Sequence, residues 1–522
     1  MALARTFAIA LLGVAGHLVE VEAHLANGLP GLTLIGLPDT ALHEARDRVR
    51  AAVVNSGFSW PNRRITLGLS PATLPKSGSA FDVSIAAAIL AASDVCPHSP
   101  LERRVLIGEL GLDGRVRAVA GVLPAVLGAV DAGLPRVVVP VGNAAEARLV
   151  PGAEVEEVGD LTALIALLRG RPRPPGAGRQ QAVEQPVERT TVSQSSPDGR
   201  SEEPDLAQVA GQAEGRRAVE IAAAGGHHVY LLGPPGTGKT MLAERLPGLL
   251  PPLEPAEALE VTAVHSVAGV LPAGCPLVTT RPFRDPHHTA TVSALVGGGS
   301  GLIRPGLASE AHRGVLFLDE APEFSGGVLD ALRQPLENGI VRVARARAVV
   351  SFPARFTLVL AANPCQCGRA DTRGGGCTCT ARIRHRYLAR LSGPLLDRVD
   401  LRVRTHAVTP AELRAAARLA EPSVVVRERV LQARGAATER LAGTSWKLNA
   451  EVPGAELRRR WPLPRRVQAH AEACLERGGL TARGLDRVLR VAWTIADLGG
   501  REQPAVDNVG EALALRVSGV PA

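Results

Sequence analysis

One glycine-rich stretch of the chain has the residue types and the spacing of a phosphate-binding loop. Residues 233–240 fit the pattern G-x-x-x-x-G-K-[ST], in which glycines let backbone N–H groups approach a polyphosphate. Lys239 would neutralise the β and γ phosphates of ATP, and the Thr240 hydroxyl would bind Mg²⁺. A chance lysine in this position is disfavoured because the chain has only three lysines. The predicted nucleotide-binding residues here are Gly233, Pro234, Pro235, Gly236, Thr237, Gly238, Lys239 and Thr240.

Two carboxylates follow a second apolar run farther along the chain. Residues 315–318 are Val-Leu-Phe-Leu, and Asp319 and Glu320 come directly after them. Side chains at the carboxyl end of a buried parallel strand lie where α/β proteins bind ligands. We expect Asp319 to act on Mg²⁺ through water and Glu320 to polarise the attacking water. An acidic helix cap is the alternative.

Two further polar residues complete a candidate hydrolytic site. A third apolar run, residues 356–361, precedes Asn363, which we expect to orient the lytic water. Arg398 follows Leu-Leu-Asp and is the candidate finger that reaches the γ-phosphate bound to a neighbouring subunit. A surface ion pair with Asp397 or Asp400 is the alternative for this arginine.

The elements that must position these residues alternate between short apolar runs and helical patterns. Residues 229–232 are apolar and partly β-branched, which predicts a buried strand before the loop. Residues 241–250 and 215–224 have helical periodicity. The order predicts an α/β core with a parallel sheet and flanking helices. Residues 409–515 are helical in pattern, with breaks near Pro453 and Pro462.

Taken together, these motifs make residues 205–515 similar to AAA+ ATPases, and the sequence resembles their magnesium-chelatase-like branch, the YifB/ComM family. Further shared motifs are Pro-His-His-Thr at 286–289, Arg-Pro-Gly at 304–306, His-Arg-Gly at 312–314 and Leu-Arg-Gln-Pro-Leu-Glu at 332–337. The resemblance implies an AAA+ core followed by a helical lid, and it makes Arg483 the sensor-two arginine, with Arg487 one turn later as a substitute.

The resemblance also implies a function. Family members are expected to form hexameric rings that hydrolyse ATP with Mg²⁺ and act on single-stranded or branched DNA. This implies branch migration that extends recombination during natural transformation or DNA repair. A chelatase-like ATPase that remodels a protein partner is the alternative. Residues 296–306 and 340–352 are predicted insertions, and the second carries Arg342, Arg345 and Arg347, which suit a phosphate backbone in a ring pore.

Paired cysteines indicate a candidate metal site after Asn363. Two C-x-C pairs separated by a flexible loop can close a tetrahedral four-sulfur site that suits zinc. Reduced thiols without a metal and a redox pair remain alternatives. Adjacent His287 and His288 would point to opposite faces of a strand, so we expect them to have a packing role. The predicted zinc ligands are Cys365, Cys367, Cys377 and Cys379.

The first third of the chain has a different resemblance. Residues 75–83 resemble the proteolytic domain of Lon-type proteases, which uses a Ser–Lys dyad. Aligning Lys76 puts Ala80 in the nucleophile position, and the segment 108–125 puts Leu123 in the position of the base. Without a nucleophile and a base there is no acyl-enzyme route, so we expect an inert scaffold or docking module. The two serines of residues 75–83 are the remaining nucleophile candidates, and the sequence identifies no partner.

Length and composition set the remaining limits. The chain has 522 residues, 46% of them hydrophobic, which predicts several globular domains. No segment has about 18 uninterrupted apolar residues, so we expect no membrane partner and a cytoplasmic location. The predicted divisions are an α+β Lon-like domain at 1–168, a disordered linker at 169–205, the AAA+ core at 206–408 and the helical lid at 409–522.

Overall fold

The computed structural model describes residues 3–36, 40–172, 204–272, 275–299, 303–345, 348–370 and 376–517. Most of the predicted linker, residues 173–203, and the predicted pore residue Arg347 lie outside the described residues. Among the helices that are described, none is both long enough and apolar enough to cross a lipid bilayer.

The N-terminal unit is a mixed sheet with helices packed against it. Its strands are β1 (Leu3–Leu12), β2 (Ala15–Ala26), β3 (Gly31–Ile35), β4 (Arg64–Ser70), β5 (Val105–Leu106), β6 (Glu109–Leu110), β7 (Val116–Arg117), β8 (Arg136–Pro140) and β9 (Glu154–Val158). Its helices are α1 (Thr40–Asn55), α2 (Asp82–Ala92), α3 (Val122–Asp131), α4 (Ala144–Ala147) and α5 (Leu161–Leu168). Seven strands form one sheet in the order β3-β4-β2-β1-β5-β8-β9.

The residues in the Lon-like dyad positions lie in one apolar cluster. Leu123 is fully buried in that cluster, and Ala80 packs against it. The Lys76 ammonium is buried and donates to the backbone carbonyl of Pro71, while the Ser79 hydroxyl donates to Glu109. The lysine and this serine therefore have separate partners, and the lack of proteolytic chemistry stays a prediction.

The central unit contains a five-stranded parallel sheet and two hairpins. Its strands are β10 (Val229–Leu232), β11 (Phe283–Arg284), β12 (Gly297–Gly298), β13 (Arg304–Pro305), β14 (Val315–Leu318), β15 (Ile340–Arg345), β16 (Ala348–Pro353), β17 (Thr357–Ala362) and β18 (Leu401–Arg404). Its helices are α6 (Ala213–Gly225), α7 (Lys239–Leu249), α8 (Pro255–Ala268), α9 (Val292–Val296), α10 (Leu307–Glu310), α11 (Gly326–Ala331), α12 (Arg333–Asn338), α13 (Ala381–Leu388) and α14 (Gly393–Asp397).

The parallel sheet determines where the polar residues converge. Its order is β11-β14-β17-β10-β18, and every neighbouring pair is parallel. All residues of β10 and β14 are buried, as short apolar runs without alternation predict. Because the strands are parallel, their carboxyl ends share one edge of the sheet and their amino ends share the other. The predicted α/β class is confirmed.

A helical lid follows the central unit. It consists of α15 (Pro410–Leu419), α16 (Ser423–Arg440), α17 (Gly454–Arg460), α18 (Arg465–Glu476), α19 (Ala482–Leu498) and α20 (Val506–Val517). Helix α19 buries an apolar face that includes Val488, Ala492 and Ile495. These side chains share one core cluster with α6, α7 and strand β10. The lid is therefore anchored to the helical layer on one face of the parallel sheet.

The N-terminal unit touches the central unit along helix α8. The N–H of Gly121 donates to the Ser266 carbonyl at 3.0 Å, and the Ser266 hydroxyl donates to the Glu146 carboxylate. At Gly13 an added Cβ would lie 2.6 Å from the Ser351 carbonyl of the β15–β16 hairpin. The turn between β1 and β2 therefore sits directly on that hairpin.

Candidate active site

The glycine-rich loop lies at the carboxyl end of β10 and leads into α7. Gly236 and Gly238 have φ values of +74° and +83°, a conformation that favours glycine. At Gly233 a Cβ would lie 2.1 Å from the Thr405 hydroxyl, so only glycine fits beside the end of β18. Helix α7 begins at Lys239, and the first N–H groups of a helix have no partner within it. These donors fit a polyphosphate.

Lys239 is buried and is held by oxygen atoms around the loop. Its ammonium donates to the carbonyls of Gly233 and Pro234 at 2.7 and 2.9 Å and to Asn363 Oδ1 at 3.1 Å. Burial lowers the pKa of Lys239, and the negative charges of Asp319 and Glu320 oppose that shift. The ammonium therefore occupies the loop interior, where a bound phosphate group would meet it.

Thr240, in the first turn of α7, meets Asp319, which directly follows β14. The Thr240 hydroxyl donates to Asp319 Oδ2 at 3.0 Å, and Thr240 is exposed while Asp319 is half-buried. Hydroxyl and carboxylate oxygens are ligands that Mg²⁺ accepts together with water and nucleotide phosphates. The residues present therefore fit Mg²⁺-bound ATP, with Thr240 and Asp319 on the metal side.

Glu320 has a strained backbone and a histidine neighbour. Its φ is +48°, in the left-handed region that non-glycine residues rarely adopt. Strained backbone conformations of this kind cluster at active sites and switch regions. His288 Nδ1 lies 3.5 Å from Glu320 Oε2. The two adjacent histidine rings lie 4.1 Å apart in a turn after β11, instead of on opposite faces of a strand. Sequence periodicity did not assign His288 to this site.

Asn363 and the loop after it form the opposite wall. Asn363 follows β17, whose last residue accepts a hydrogen bond from the Gly233 N–H at 3.1 Å. Tyr387 of α13 lies against the backbone of Asn363. Burial, followed by the charges of Glu323 and Glu320, raises the pKa of Tyr387 to about 12, so its hydroxyl stays protonated. The phosphate loop, Glu320 and Asn363 therefore lie together at one edge of the sheet.

The predicted arginines lie at the opposite edge. Arg398 donates to the Pro394 carbonyl at 2.7 Å and also contacts Glu337. The Arg483 side chain is 78% exposed and lies 4.0 Å from Asp397. Strands β10, β14 and β18 are each four residues long, so about 13 Å of sheet separates the two edges. Neither arginine faces the phosphate loop of its own chain.

A cleft of about 930 Å³ opens at this amino-terminal edge. Arg487 lines this cleft and donates to Asp400 Oδ1 at 2.6 Å and to the Arg398 carbonyl at 2.9 Å. Burial raises the pKa of Asp400, but the charge of Arg487 and the hydrogen bond with His227 outweigh burial and hold that pKa well below its usual range. Arg487 is therefore committed to an internal ion pair, and Arg483 is the exposed member of the two.

The two insertions lie against each other. The β12–β13 pair and the β15–β16 pair are both antiparallel, and Ile303, next to the first pair, packs against the apolar cluster that contains residues of the second. Arg342 and Arg345 are exposed, whereas Phe352 is fully buried at the base. A Cβ added to Gly298 would lie 3.1 Å from the Arg345 guanidinium, so that arginine reaches across to the glycine-rich hairpin.

The four cysteines come together after Asn363. The sulfur atoms of Cys365, Cys367, Cys377 and Cys379 all lie within 4.8 Å of one another. The basic residues that follow the cysteines lie on helix α13. On a helix only Arg382 and Arg386, four positions apart, share a face, and Arg384 lies elsewhere on the surface.

Comparisons with known proteins agree with this architecture. Models of the magnesium chelatase subunit ChlI match residues 205–413 and, in a separate N-terminal model, residues 21–143. A model of the C-terminal part of the same subunit matches residues 420–516.

Full-length relatives cover nearly the whole chain. An uncharacterized protein of Mycobacterium tuberculosis is 53% identical over 519 residues, which are 99% of each chain. The competence protein ComM of Haemophilus influenzae is 43% identical over 99% of this chain and 98% of its own. The uncharacterized protein YifB of Escherichia coli is 42% identical over 97% of this chain and 96% of its own. The chain therefore belongs to the YifB/ComM family of magnesium-chelatase-like AAA+ ATPases.

Proposed function

We propose that this protein is a hexameric ATPase motor that moves branched DNA. In this proposal it extends heteroduplex by branch migration during natural transformation or DNA repair. The similarity to a protein named for competence supports the biological setting. The observation that carries the DNA assignment is the pair of exposed arginines on a hairpin whose aromatic residue is buried.

The ATP site would work through groups that already lie together. Mg²⁺, held through Thr240 and Asp319, supplies charge neutralisation for the phosphates when ATP is bound. Lys239 would exchange its carbonyl partners for phosphate oxygens. Glu320 would accept a proton from the attacking water, and Asn363 would orient that water from the facing wall.

Ring assembly would complete the site. The phosphate loop and the arginine cleft lie at opposite edges of one sheet, so a head-to-tail ring brings the cleft of one subunit against the loop of the next. Arg398 and Arg483 would then contact the γ-phosphate held by the neighbour. An arginine supplied in this way stabilises charge in the transition state and is worth a factor of about 10³–10⁵ in kcat.

The DNA contact is assigned to the hairpin arginines. Guanidinium groups bind phosphates through paired hydrogen bonds without reading sequence. Branch migration needs such contacts because the motor must pass every sequence equally well.

The test compares charge reversals at matched surface positions. The variant with Arg342→Glu and Arg345→Glu should lose DNA-stimulated ATP hydrolysis and movement of a four-way junction, while basal ATP hydrolysis is kept. Arg477→Glu, at an exposed arginine on the lid, is the matched control and should behave as the parent. For each arginine that binds a DNA phosphate, its removal should lower the slope of log K against log salt by about 1.

A parent protein that binds no DNA and moves no junction would remove the DNA assignment. The second candidate is then a chelatase-like ATPase that remodels a protein. Val349, which is 66% exposed on the same hairpin, is the observation that favours it. Under this second candidate Val349→Asp should impair remodelling of the protein partner, whereas under the DNA proposal it should leave DNA movement largely intact.

A further inference from the structure

The four cysteines form a cluster with the dimensions of a metal site. The Cys365–Cys367 sulfur distance is 3.3 Å, and Cys377 lies 3.7 Å from each of these two sulfurs. Zinc–sulfur bonds of about 2.3 Å in a tetrahedron place neighbouring sulfurs about 3.8 Å apart. A disulfide needs about 2.05 Å between sulfurs, so the thiols are not paired covalently.

The backbone around the cluster also suits thiolate ligands. The Ala370 N–H donates to Cys365 Sγ at 3.3 Å, and the backbone of Arg369 lies against Cys367. Thr380 caps helix α13 directly after Cys379, so the positive end of that helix dipole faces the cluster. Four thiolates around Zn²⁺ carry a net charge of −2, which both features stabilise.

The cluster touches the ATP site at two points. At Gly368, between the two cysteine pairs, an added Cβ would lie 2.8 Å from the Pro235 ring of the phosphate loop. Asn363 precedes Cys365 by two residues, and Tyr387 of α13 returns to the Asn363 backbone. The cysteines therefore lie in a segment that starts next to Asn363 in sequence and whose following helix, α13, contacts Asn363 again.

We propose that Cys365, Cys367, Cys377 and Cys379 bind one structural zinc ion that fixes Asn363 and Pro235 in the ATP site. Binding releases the thiol protons to solvent, and no oxidant or reductant is consumed. The role assigned to Asn363 rests on the proposed ATP hydrolysis, whereas the zinc site itself does not.

The first measurement is metal content, which requires neither ATP nor DNA. The purified full-length chain should contain about one zinc per subunit, and mercurial titration of its thiols should release it. Cobalt substitution should give the visible absorption and thiolate charge-transfer bands of a tetrahedral four-sulfur site. Cys365→Ser and Cys379→Ser should lose the metal, whereas Cys275→Ser, at an exposed cysteine on another surface, should keep it.

The second measurement is turnover. Removing zinc from the parent protein should lower kcat for ATP at least tenfold, with far-ultraviolet circular dichroism unchanged, and added zinc should restore it. Chelation avoids the risk that a serine variant fails to fold. A chain that takes up no zinc, or one whose cysteines form reversible disulfides instead, overturns the metal site. Zinc loss without any change in kcat overturns the assigned support of Asn363 and Pro235. An intact zinc site in a chain without ATP hydrolysis would contradict the proposed function and leave the metal site standing.

Discussion

The Lys239 ammonium has three hydrogen-bond donors, and three oxygens around the loop accept them at 2.7–3.1 Å. Two of these acceptors are loop carbonyls, and the third is Asn363, which follows the neighbouring strand β17. Phosphate oxygens carry more negative charge than carbonyl oxygens, so ATP would replace the carbonyls and retain the link to Asn363. In the proposed site, binding of nucleotide and orientation of Asn363 would therefore be connected through one ammonium group.

Lys239→Ala should abolish this connection. We expect ATP hydrolysis to fall by a factor of about 10²–10³, because the variant has no buried positive charge to meet the reacting phosphate. The measurement is steady-state phosphate release together with equilibrium binding of a fluorescent ATP analogue. Hydrolysis at the parent rate would show that the nucleotide binds elsewhere.

Glu320→Gln should separate binding from hydrolysis. The amide keeps the size of the side chain but cannot accept the proton of the attacking water, so turnover should fall by a factor of about 10²–10⁴ while ATP still binds. Single-turnover hydrolysis with bound nucleotide measured in parallel gives both values. A variant that loses binding and turnover together would instead assign Glu320 to ATP binding.

Among the elements, buried parallel strands made the edge that carries the candidate catalytic residues predictable from the sequence. The apolar runs at 229–232 and 315–318 coincide with β10 and β14, and β17 extends one residue beyond its predicted end. Parallel strands share their carboxyl edge, so the sequence alone predicts that the residues following such runs lie close together. This explains why the positions of Asp319, Glu320 and Asn363 could be anticipated.

Other parts of the site depend on tertiary arrangement and could not be predicted in this way. The approach of His288 to Glu320 requires β11 to lie beside β14, and a two-residue strand has too weak a pattern to reveal that neighbour. Helical periodicity predicts α19, but it cannot tell which edge of the sheet the start of that helix approaches. Family resemblance alone identifies Arg483, and only the folded chain shows it next to Asp397.

Helix α8 gives a prediction about pH. His265 on this helix donates from Nε2 to the Glu310 carbonyl at 2.8 Å, and burial lowers its pKa to about 4. In the unfolded chain the pKa of histidine is about 6.5, so the unfolded state takes up a proton at a higher pH than the folded state does. The contribution of His265 to stability is therefore fully present only above about pH 6.5. The contribution is lost as pH falls from about 6.5 toward 4, and the loss amounts to about 2 kcal/mol at pH 5.

Calorimetry can isolate this contribution. Between pH 7 and pH 5 the thermal midpoint of the parent should drop, and His265→Gln should show a smaller drop because its amide does not titrate. His24→Gln, at an exposed histidine on β2, should retain the pH dependence of the parent. An equal drop in His265→Gln would mean that other groups carry the acid sensitivity.

At the scale of the whole molecule, the two groups of residues assigned to the proposed ATP site lie at opposite edges of one sheet. Arg398 and Arg483 lie across the sheet from Lys239 and Glu320 of the same chain, and Arg398 contacts Glu337 there. The N-terminal unit adds a second connection, since its β1–β2 turn sits on the hairpin that carries Arg342 and Arg345. Nucleotide site, hairpin and N-terminal unit therefore meet through shared elements of the central unit.

Mixing two inactive variants tests whether the site forms between subunits. Lys239→Ala chains keep the arginine cleft, and Arg398→Ala chains keep the phosphate loop, so each alone should lose ATP hydrolysis by a factor of at least about 10². In a mixed ring, the intact loop of an Arg398→Ala chain can face the intact Arg398 of a Lys239→Ala chain. Hydrolysis should therefore reappear on mixing and reach a maximum near equal proportions, measured after reassembly at fixed total protein. If Arg398 acts on the nucleotide of its own chain, every site in the mixture lacks one group, and activity stays at the level of the separate variants.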